Sequence, residues 1–349
     1  IMSLIESICK NIYPLDTRFM EQAQARQDRL IKPQGSLGKL EDISIQLAGI
    51  YGSKYFDTTK KIVLSFACDH GVYEEGVAPN NQNITLLQSM NFPKKINGVG
   101  TISKFVGSDV QLIDVGINCD EPIEGVIDCK IRKSTSNMAK GPAMTRQEAI
   151  RAIEIGIEMS EKYIQEDYKV IGIGEMGIAN TTPSTAIISV IGGCDPEEIT
   201  GIGAGLKKEL IAHKAQVIRT AIEINQPNPT DGIDILQKVG GFEIGSMAGV
   251  ILGCSANRVP VVLDGFISYA AALIAVNINP RCKDYMIASH YSAEPGAKKA
   301  LELLGLDPFL KMDMRLGEGS GAALAFNMIE AANYVYKNML TFDEVDMGM

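Results

Sequence analysis

From Lys61 onward, short apolar runs rich in β-branched residues alternate with longer stretches of helical periodicity. Each run ends at a glycine or an acidic residue, which is typical of a strand that enters a turn. The runs cover residues 62–67, 110–113, 170–173 and 259–263. Alternation of this kind predicts an α/β fold in which a parallel sheet carries helices on both faces.

Polar residues that directly follow these runs are the first candidates for chemistry. They are Asp69, His70, Asp114, Glu175 and Asp264. The carboxyl ends of parallel strands lie at one edge of a sheet, and ligands bind at that edge. We therefore expect all five side chains to face one crevice.

Both ends of the chain carry helical patterns. Residues 16–50 predict two helices separated by a glycine- and proline-containing break at residues 32–38, and the pattern turns helical again after Lys283. We predict that residues 1–60 and 285–349 form the two parts of a small helical domain. Residues 61–284 then form the large α/β domain.

Composition and charge exclude several classes of protein. With 46% hydrophobic and 21% charged residues, the 349-residue chain is not intrinsically disordered. A net charge of −9 and the lack of any Lys/Arg run longer than two residues argue against nucleic acid as a partner. No apolar run approaches the about 20 residues that cross a bilayer, so no membrane partner is expected. Seven cysteines without a Cys-x-x-Cys pair predict a reducing, cytoplasmic location.

Gly172, within the third run, and Gly174 and Gly177, after it, have the G-x-G-x-x-G spacing of dinucleotide-binding turns. The spacing raises the alternative of an NAD-dependent oxidoreductase. Its expected acidic partner, Asp195, lies in a turn instead of ending a second strand. The adjacent Asn180 favours one phosphate at a helix N-terminus, so a mononucleotide is the better prediction.

A second glycine-rich turn, residues 201–205, precedes a helical pattern that carries Lys214. Backbone amides of such a turn and one lysine are suited to phosphate. In contrast, His70, His213 and His290 have no partner at a metal-ligand spacing, so no metal site is predicted.

Glu318 lies between two glycines, immediately before an apolar helix. Alone, an acidic residue at this place is explained by its favourable interaction with the helix N-terminus. The glycines would also let the backbone approach a bound molecule closely. Burial against the apolar helix would raise the pKa of the carboxyl group towards working pH.

Several motifs in fixed order extend these features over nearly the whole chain. They are Lys32-Pro-Gln-Gly-Ser-Leu-Gly-Lys-Leu-Glu41, Asp69-His-Gly-Val72, Gly174-Glu-Met-Gly-Ile-Ala-Asn-Thr-Thr182, Asn225-Gln-Pro-Asn-Pro229 with Asp231-Gly-Ile-Asp234, Leu263-Asp-Gly-Phe266, Ser289-His-Tyr-Ser-Ala-Glu294 and Arg315-Leu-Gly-Glu-Gly-Ser-Gly321. Together they resemble the nicotinate-nucleotide:5,6-dimethylbenzimidazole phosphoribosyltransferase (CobT) family of cobalamin lower-ligand assembly.

The resemblance implies a Rossmann-like large domain, a small domain built from both chain ends that carries the catalytic loop, and a dimer. It also implies transfer of phosphoribose from nicotinate mononucleotide to an aromatic base, giving an α-ribotide and nicotinate without a cofactor. Glu318 would be the general base and Glu175 a second active-site carboxylate. The substrate-binding residues implied are Met176, Gly177, Ile178, Asn180, Thr181, Gly203, Lys214, Asp264, Gly265 and Ser292.

One carboxylate is enough for this reaction. The ring nitrogen of nicotinate mononucleotide is a pyridinium, so the leaving group departs neutral at that atom and requires no general acid. What remains is the N–H proton of the acceptor, which a carboxylate can remove as the other nitrogen attacks from the opposite face. The same group can stabilise the positive charge that develops on the ribose.

The identity of the acceptor stays open at this point. Asn80, Gln88 and Leu316 are the implied acceptor-pocket residues, and Asn80 stands where the family has a small hydroxyl residue. Asn80 could narrow the pocket or hydrogen-bond a different aromatic, including phenol or p-cresol, whose product would be an O-glycoside. A homodimer and a heterodimer with a related subunit both fit the sequence, and so does an inactive paralogue that serves as a partner subunit.

Overall fold

A parallel six-stranded sheet forms the centre of the fold in the computed structural model, which describes residues 3–346. Its strands are β1 (Lys61–Cys68), β2 (Asp109–Gly116), β3 (Ile127–Asp128), β4 (Val170–Met176), β5 (Val261–Leu263) and β6 (Met286–Ala288). They lie in the order β3-β2-β1-β4-β5-β6, and every pair is parallel. This is the Rossmann order, which reverses direction between β1 and β4.

Strand β1 shows why the sheet needs cover on both sides. All eight of its residues are buried. Ile62, Leu64 and Phe66 pack into one hydrophobic cluster, whereas Val63 and Ala67 pack into the other. Because side chains alternate along a strand, a run with apolar residues at both odd and even positions has to be covered on both faces. The predicted α/β fold with a parallel sheet is confirmed.

Fifteen α-helices flank the sheet within residues 3–346. They are α1 (Leu4–Lys10), α2 (Thr17–Arg29), α3 (Lys39–Tyr51), α4 (Ile84–Ser89), α5 (Gly98–Val106), α6 (Arg146–Gln165), α7 (Thr181–Gly192), α8 (Pro196–Ile199), α9 (Ile211–Asn225), α10 (Gly232–Val239), α11 (Phe242–Ala256), α12 (Phe266–Ile278), α13 (Gly296–Leu304), α14 (Ser320–Asn338) and α15 (Phe342–Asp346). Helices α6, α7, α11 and α12 cover one face, and α3, α5 and α14 the other. None of the described helices has the length and apolar content to span a membrane.

The two ends of the chain meet on the face covered by α14. The guanidinium of Arg26 donates to the backbone carbonyls of Tyr336, at 2.8 Å, and Met339, at 3.2 Å. Leu30 and Thr341 form an antiparallel bridge beside this contact. The two helices predicted within residues 16–50 are confirmed as α2 and α3.

Two elements at the chain ends lie outside this helical layer. Helix α1 packs on α6 and α11, across the sheet from α14. Strand β6 joins the sheet, although it follows the predicted boundary at residue 284. A run as short as three residues cannot be distinguished from part of a helix by periodicity. The division at residues 60 and 284 stays a prediction, and its outer limits, residues 1, 2 and 347–349, lie outside the described residues.

Candidate active site

A cavity opens at the carboxyl ends of β4, β5 and β6. Eleven of the residues predicted for the site line it: Glu175, Met176, Gly177, Ile178, Asn180, Thr181, Gly203, Asp264, Gly265, Ser292 and Leu316. The cavity lies beside the point where the strand order reverses, and ligands of open α/β sheets bind there. The sheet topology thus gathers residues that are up to 141 positions apart in the chain (316 − 175 = 141).

The turn between β4 and α7 forms one wall of the cavity. The backbone amides of Ala179 and Thr181 donate no hydrogen bond in the described part of the chain, whereas the amide of Ile178 donates to Thr85 Oγ1 at 3.1 Å. Ala179 adopts a left-handed φ of 78°, which bends the chain into the first turn of α7. Unpaired amides at a helix N-terminus attract anions, because the helix dipole is positive there.

Lys214 reaches the same wall from α9. Its side chain is almost fully buried, and Nζ donates to Thr181 Oγ1 at 2.6 Å. It lines a cavity that adjoins the first and shares Gly177, Thr181 and Gly203 with it. Burial lowers the pKa of Lys214 to about 8. A bound anion would raise that pKa again, because it would favour the charged ammonium.

Asp264 follows β5 and holds the segment that carries Glu318. Its carboxylate accepts hydrogen bonds from the backbone amides of Gly321, at 2.7 Å, and Gly319, at 3.1 Å. These amides belong to the first turn of α14, so Asp264 caps that helix. Burial raises the pKa of Asp264 to about 7, against the opposing effect of the two amides. This second role, as an anchor for the Glu318 loop, was not foreseen from the sequence.

The backbone of Glu318 is fixed in an uncommon conformation. Its φ is 64°, between Gly317 at 84° and Gly319 at 92°, so three successive residues are left-handed. The amide of Glu318 donates to the Glu175 carbonyl at 3.2 Å, and its own carbonyl accepts from Ser65 Oγ at 2.7 Å. A non-glycine residue in this region is held there by its surroundings, and such residues concentrate at functional sites.

The carboxylate of Glu318 reaches the N-terminus of a different helix from the one predicted. Its Oε2 accepts from Asn97 Nδ2 at 3.1 Å and from the amide of Val99 at 2.9 Å, at the start of α5. Within residues 3–346, Oε1 accepts no hydrogen bond. Burial raises the pKa of Glu318, the direction expected from its sequence context. One carboxylate oxygen is therefore anchored, and the other has no hydrogen-bond partner among these residues.

Glu175 is the most strongly perturbed acid of the cavity. It accepts a hydrogen bond from the side-chain amide of Asn180. Burial nevertheless raises its pKa to about 8, and the neighbouring charges of Asp264 and Glu318 act in the same direction. At neutral pH the Glu175 carboxyl group is mostly protonated, so it adds little negative charge to the cavity.

Two predicted acceptor residues do not line the cavity. Among the described residues, neither Asn80 nor Gln88 belongs to its wall. Gln88 lies on α4 and accepts from Asn91 Nδ2 at 3.2 Å, while Asn80 follows Pro79, which does line the adjoining cavity. Asn80 lies in the loop before α4 and Gln88 on α4 itself, so their expected contact with an acceptor stays a prediction.

The expectation that all five strand-end residues share one crevice is wrong for three of them. Asp69 Oδ2 accepts from the amide of Asn118 at 2.8 Å. Asp114 Oδ1 accepts from the amides of Gly116 and Ile117, at 2.9 and 2.8 Å. His70 pairs with Glu243 at 2.8 Å. Asp69 and His70 thus bond the end of β1 to neighbouring segments, and Asp114 accepts from the turn that directly follows it. Of the five, only Glu175 and Asp264 line the cavity.

The first two glycines of the G-x-G-x-x-G sequence serve helix packing. A Cβ atom on Gly172 would lie 3.1 Å from Ala322 Cβ, and one on Gly174 would lie 2.4 Å from the Glu318 carbonyl oxygen. Both positions face the start of α14, which occupies the space that a dinucleotide pyrophosphate would need. The geometry therefore opposes the oxidoreductase alternative.

Further cavity residues were not singled out as site residues from the sequence. These are Ala204, Phe266, Ile267, Ser268, His290, Glu294, Arg315 and Gly317. Burial lowers the pKa of His290 to about 4, so the imidazole is neutral and contacts Ser289 Oγ at 2.9 Å. His290, Glu294 and Arg315 belong to two of the motifs that carry the family resemblance, and that signal could have identified them.

The sequence matches a phosphoribosyltransferase family, DBI_PRT, over residues 12–347. The chain belongs to this family. It is an enzyme, a phosphoribosyltransferase. Family membership agrees with the turn of unpaired amides and with the buried carboxyl groups, and it excludes the oxidoreductase alternative.

Named relatives of this phosphoribosyltransferase extend over its full length. A nicotinate-nucleotide–dimethylbenzimidazole phosphoribosyltransferase of Clostridioides difficile (strain 630) is 74% identical over 99% of this chain and 100% of that protein. One of Escherichia coli (strain K12 / DH10B) is 47% identical over 97% of this chain and 94% of that protein. The crystal structure of CobT from Thermus thermophilus is 35% identical and superimposes with a TM-score of 0.90 over 94% of this chain and 98% of that one.

Proposed function

We propose that this phosphoribosyltransferase transfers the phosphoribosyl group of nicotinate mononucleotide to 5,6-dimethylbenzimidazole or a related lower-ligand base. The products are an α-ribotide and nicotinate. The names of relatives at 74% and 47% identity support these substrates. The single observation that carries the mechanism is the Glu318 carboxylate, which directly follows the cavity-lining Gly317 and is anchored through Oε2, while Oε1 accepts no hydrogen bond among the described residues.

The turn between β4 and α7 binds the phosphate in this proposal. Its support is the pair of unpaired amides at Ala179 and Thr181, together with Lys214 bonded to the Thr181 side chain. A phosphate oxygen that replaces the Thr181 hydroxyl as partner of Lys214 forms a charge-assisted hydrogen bond. Gly203 lies beside both side chains, and any Cβ there would be 2.8 Å from Thr181 Oγ1.

Glu318 removes the acceptor proton in this proposal. A raised pKa makes the carboxylate a stronger base than an exposed glutamate, and general-base catalysis is most efficient when the pKa approaches working pH. The left-handed backbone fixes where the carboxylate points, so little reorganisation is needed when the acceptor attacks. The pyridinium leaving group needs no proton, which is why a second acid at this position is unnecessary.

Glu175 and Asp264 complete the proposed site without repelling the anionic substrate. Their pKa values, about 8 and about 7, keep a large share of both groups neutral near pH 7. A neutral carboxyl group can also donate a hydrogen bond to a ribose hydroxyl. Gly265 and Ser292 lie beside them in the cavity wall and contact the ribose in this proposal.

The acceptor binds next to Leu316, whose side chain lines the cavity and is 58% exposed. An exposed apolar side chain at a cavity mouth fits a flat aromatic molecule. Contacts from Asn80 and Gln88 to the acceptor stay a prediction. Transfer to phenol or p-cresol is the second candidate, because nothing in the Leu316 contact distinguishes a phenol from a benzimidazole.

An end-point assay tests the proposed reaction. The purified chain is incubated with nicotinate mononucleotide and, separately, with dimethylbenzimidazole, adenine, phenol or p-cresol, and released nicotinate and ribotide mass are measured. We expect release with a nitrogen base. Release with phenols alone would assign O-glycoside formation, and no release with any acceptor would contradict the proposed acceptors and favour an inactive paralogue or a missing partner subunit.

The assembly and the compartment are part of the same proposal. We infer a dimer, formed by two copies or with a related subunit, and light scattering of the purified chain distinguishes the two because a chain that needs a different partner elutes as a monomer. All seven cysteines lie in the described residues and none forms a disulfide there, which supports a reducing cytoplasm. Fractionation of the source cells with an antibody to this chain tests the location.

A further inference from the structure

Three buried side chains of metal-ligating type lie close together beside the turn between β4 and α7, which we call the phosphate turn. They are Cys68 at the end of β1, His70 in the following loop and Glu243 in the first turn of α11. One sulfur, one ring nitrogen and one carboxylate oxygen lie within 4.8 Å of one another. All three side chains are at most 1% exposed. This group, which we call the Cys68 cluster, lies outside the proposed catalytic cavity.

The Cys68 cluster leaves one buried polar atom without a partner. Glu243 Oε1 pairs with His70 Nε2 at 2.8 Å, but Glu243 Oε2 has no hydrogen bond within the described residues. The Cys68 thiol contacts the backbone carbonyl of Asp69, with Sγ 3.1 Å from that oxygen. A buried carboxylate oxygen without a partner is costly, so it needs a proton, a water molecule or a cation.

We propose that the Cys68 cluster binds one divalent transition-metal ion, with zinc as the preferred ion. Zinc takes thiolate, imidazole and carboxylate ligands at about 2.0–2.3 Å, and this is the donor set that the three side chains supply. Two such bonds span about 4–4.6 Å, close to the 4.8 Å within which the three atoms lie. The Asp69 carbonyl beside the sulfur is a further oxygen donor.

The binding step releases protons and requires no redox partner. The metal takes the place of the Cys68 S–H proton and of the proton between His70 Nε2 and Glu243 Oε1, and these two protons pass to solvent, while His70 keeps a proton on Nδ1 and stays a neutral ligand. Thiolate and carboxylate then neutralise the two positive charges of the ion. Because no side chain of the cluster is open to solvent, the site is structural in character, with no position for a substrate.

The site would stabilise the phosphate turn from behind. A Cβ atom on Gly177 would lie 2.3 Å from the Cys68 carbonyl oxygen and 3.3 Å from His70 Nε2, so the turn rests directly on the cluster. A metal would join the end of β1, the loop after it and the start of α11 at this point. Its loss should loosen the turn, and mononucleotide binding should weaken more than turnover falls.

Metal analysis tests the proposal without reference to activity. The chain is purified without a metal-binding tag, and its metal content is measured by plasma mass spectrometry. We expect about one zinc ion per chain, and loss of most of it in Cys68→Ser, His70→Gln and Glu243→Gln. The control Cys254→Ser changes a fully buried thiol elsewhere and should keep the metal.

A measurement on the unmutated chain guards against variants that fail to fold. Chelator-treated protein is titrated with Co²⁺, and a thiolate-to-cobalt charge-transfer band that saturates at about one ion per chain is expected. The proposal would be overturned if the protein as purified contained no metal and the chelator-treated protein gave no such band with Co²⁺. Cys68, His70 and Glu243 would then be a hydrogen-bonded cluster only. Metal retained equally in all three cluster variants would overturn it too, because the ion would then lie elsewhere.

Discussion

The ends of β4 and β5 and the ends of β1 and β2 carry the same sequence pattern, a buried run followed by an acid and a glycine, yet they do different things. Glu175 and Asp264 line the cavity. Asp69 and Asp114 accept hydrogen bonds from backbone amides of neighbouring loops. The two pairs of acids differ in the chain segment that packs over their strand ends.

Over β4, the C-terminal segment crosses with Glu318 in a left-handed conformation and leaves space beside it. Over β1 and β2, the amide of Thr135 donates to the carbonyl of Asp69, and the amide of Ser134 to that of Gly116. That end of the sheet is thereby closed. A strand-end acid is therefore a site candidate only where the covering segment leaves room for a ligand.

The largest effect is expected for Glu318→Gln, at the ends of β4 and β5 where the cavity opens. Glutamine keeps an oxygen to accept from Asn97 and Val99 but cannot take the acceptor proton, so we expect kcat to fall by about 10²–10⁴ with mononucleotide binding preserved. Steady-state kinetics and calorimetric titration measure the two effects. Glu302→Gln, an exposed change on α13, is the control. Equal kcat in Glu318→Gln and the parent would remove Glu318 from the role of base.

Gly174→Ala changes the same end without touching substrate. The new Cβ would lie 2.4 Å from the Glu318 carbonyl oxygen, so the Glu318 loop has to move. A displacement of about 1 Å at a catalytic group lowers kcat by about 100-fold, which is the expected result. Gly141→Ala, where a Cβ meets no atom within 4 Å, is the matched control. A crystal structure of the variant with an unmoved loop and full activity would contradict the argument.

Lys214→Ala should weaken mononucleotide binding more than it slows turnover. Loss of a charge-assisted hydrogen bond of about 1.5–3 kcal/mol raises KM for nicotinate mononucleotide by about 10- to 100-fold. The exposed Lys208 in the preceding segment provides the control Lys208→Ala, which should leave KM unchanged. Saturation curves that coincide for parent and Lys214→Ala would place the phosphate elsewhere.

Paired substitutions compare the two ends directly. Asp264→Asn should lower kcat/KM about tenfold or more, because it loosens the amide contacts that hold the Glu318 loop. Asp114→Asn removes the charge that faces Lys130 at 3.3 Å and should mainly destabilise the fold, by about 1–2 kcal/mol. Urea unfolding and kinetics on both variants separate these effects. Similar activity losses in the two would show that the closed end also serves the reaction.

The smallest predicted effect is a pH dependence of stability. Glu175 and Asp264 have folded pKa values of about 8 and about 7, above their unfolded values, so between pH 6.5 and 8 the folded state binds more protons than the unfolded state. Their stabilising contribution is complete below the unfolded pKa and is lost as pH rises through the folded one. Lys214 and His290, with pKa values lowered to about 8 and about 4, have the opposite effect above about pH 7 and below about pH 7.5 respectively, and they reduce the slope without reversing it.

We therefore expect the free energy of unfolding to fall by about 1 kcal/mol per pH unit over pH 6.5–8 in the substrate-free protein. Glu175→Gln removes the larger shift and should flatten the slope. Urea unfolding at several pH values measures it, with Glu302→Gln as the control that should retain the parent slope. A slope that is the same in Glu175→Gln and parent would mean that Glu175 titrates normally.

Much of the fold was determined by the sequence alone. Runs with apolar residues at both odd and even positions specify strands buried on both faces, as in β1, and the helical stretches between them indicate parallel crossovers. Glycines with acids at strand ends marked the turn at Glu175 and the residue Asp264. These signals are local, because backbone geometry and side-chain alternation act over a few residues.

Tertiary structure decided what each strand end does. Strand β6 and the position of α1 depend on partners that are distant in the chain, and so does the closure over Asp69 and Asp114. The same holds for Glu318, whose carboxylate is bound by α5, 219 positions away at Val99. Hydrogen bonds and excluded volume between distant segments determine these positions and contacts. A pattern of neighbouring residues does not indicate which distant segment will pack over it.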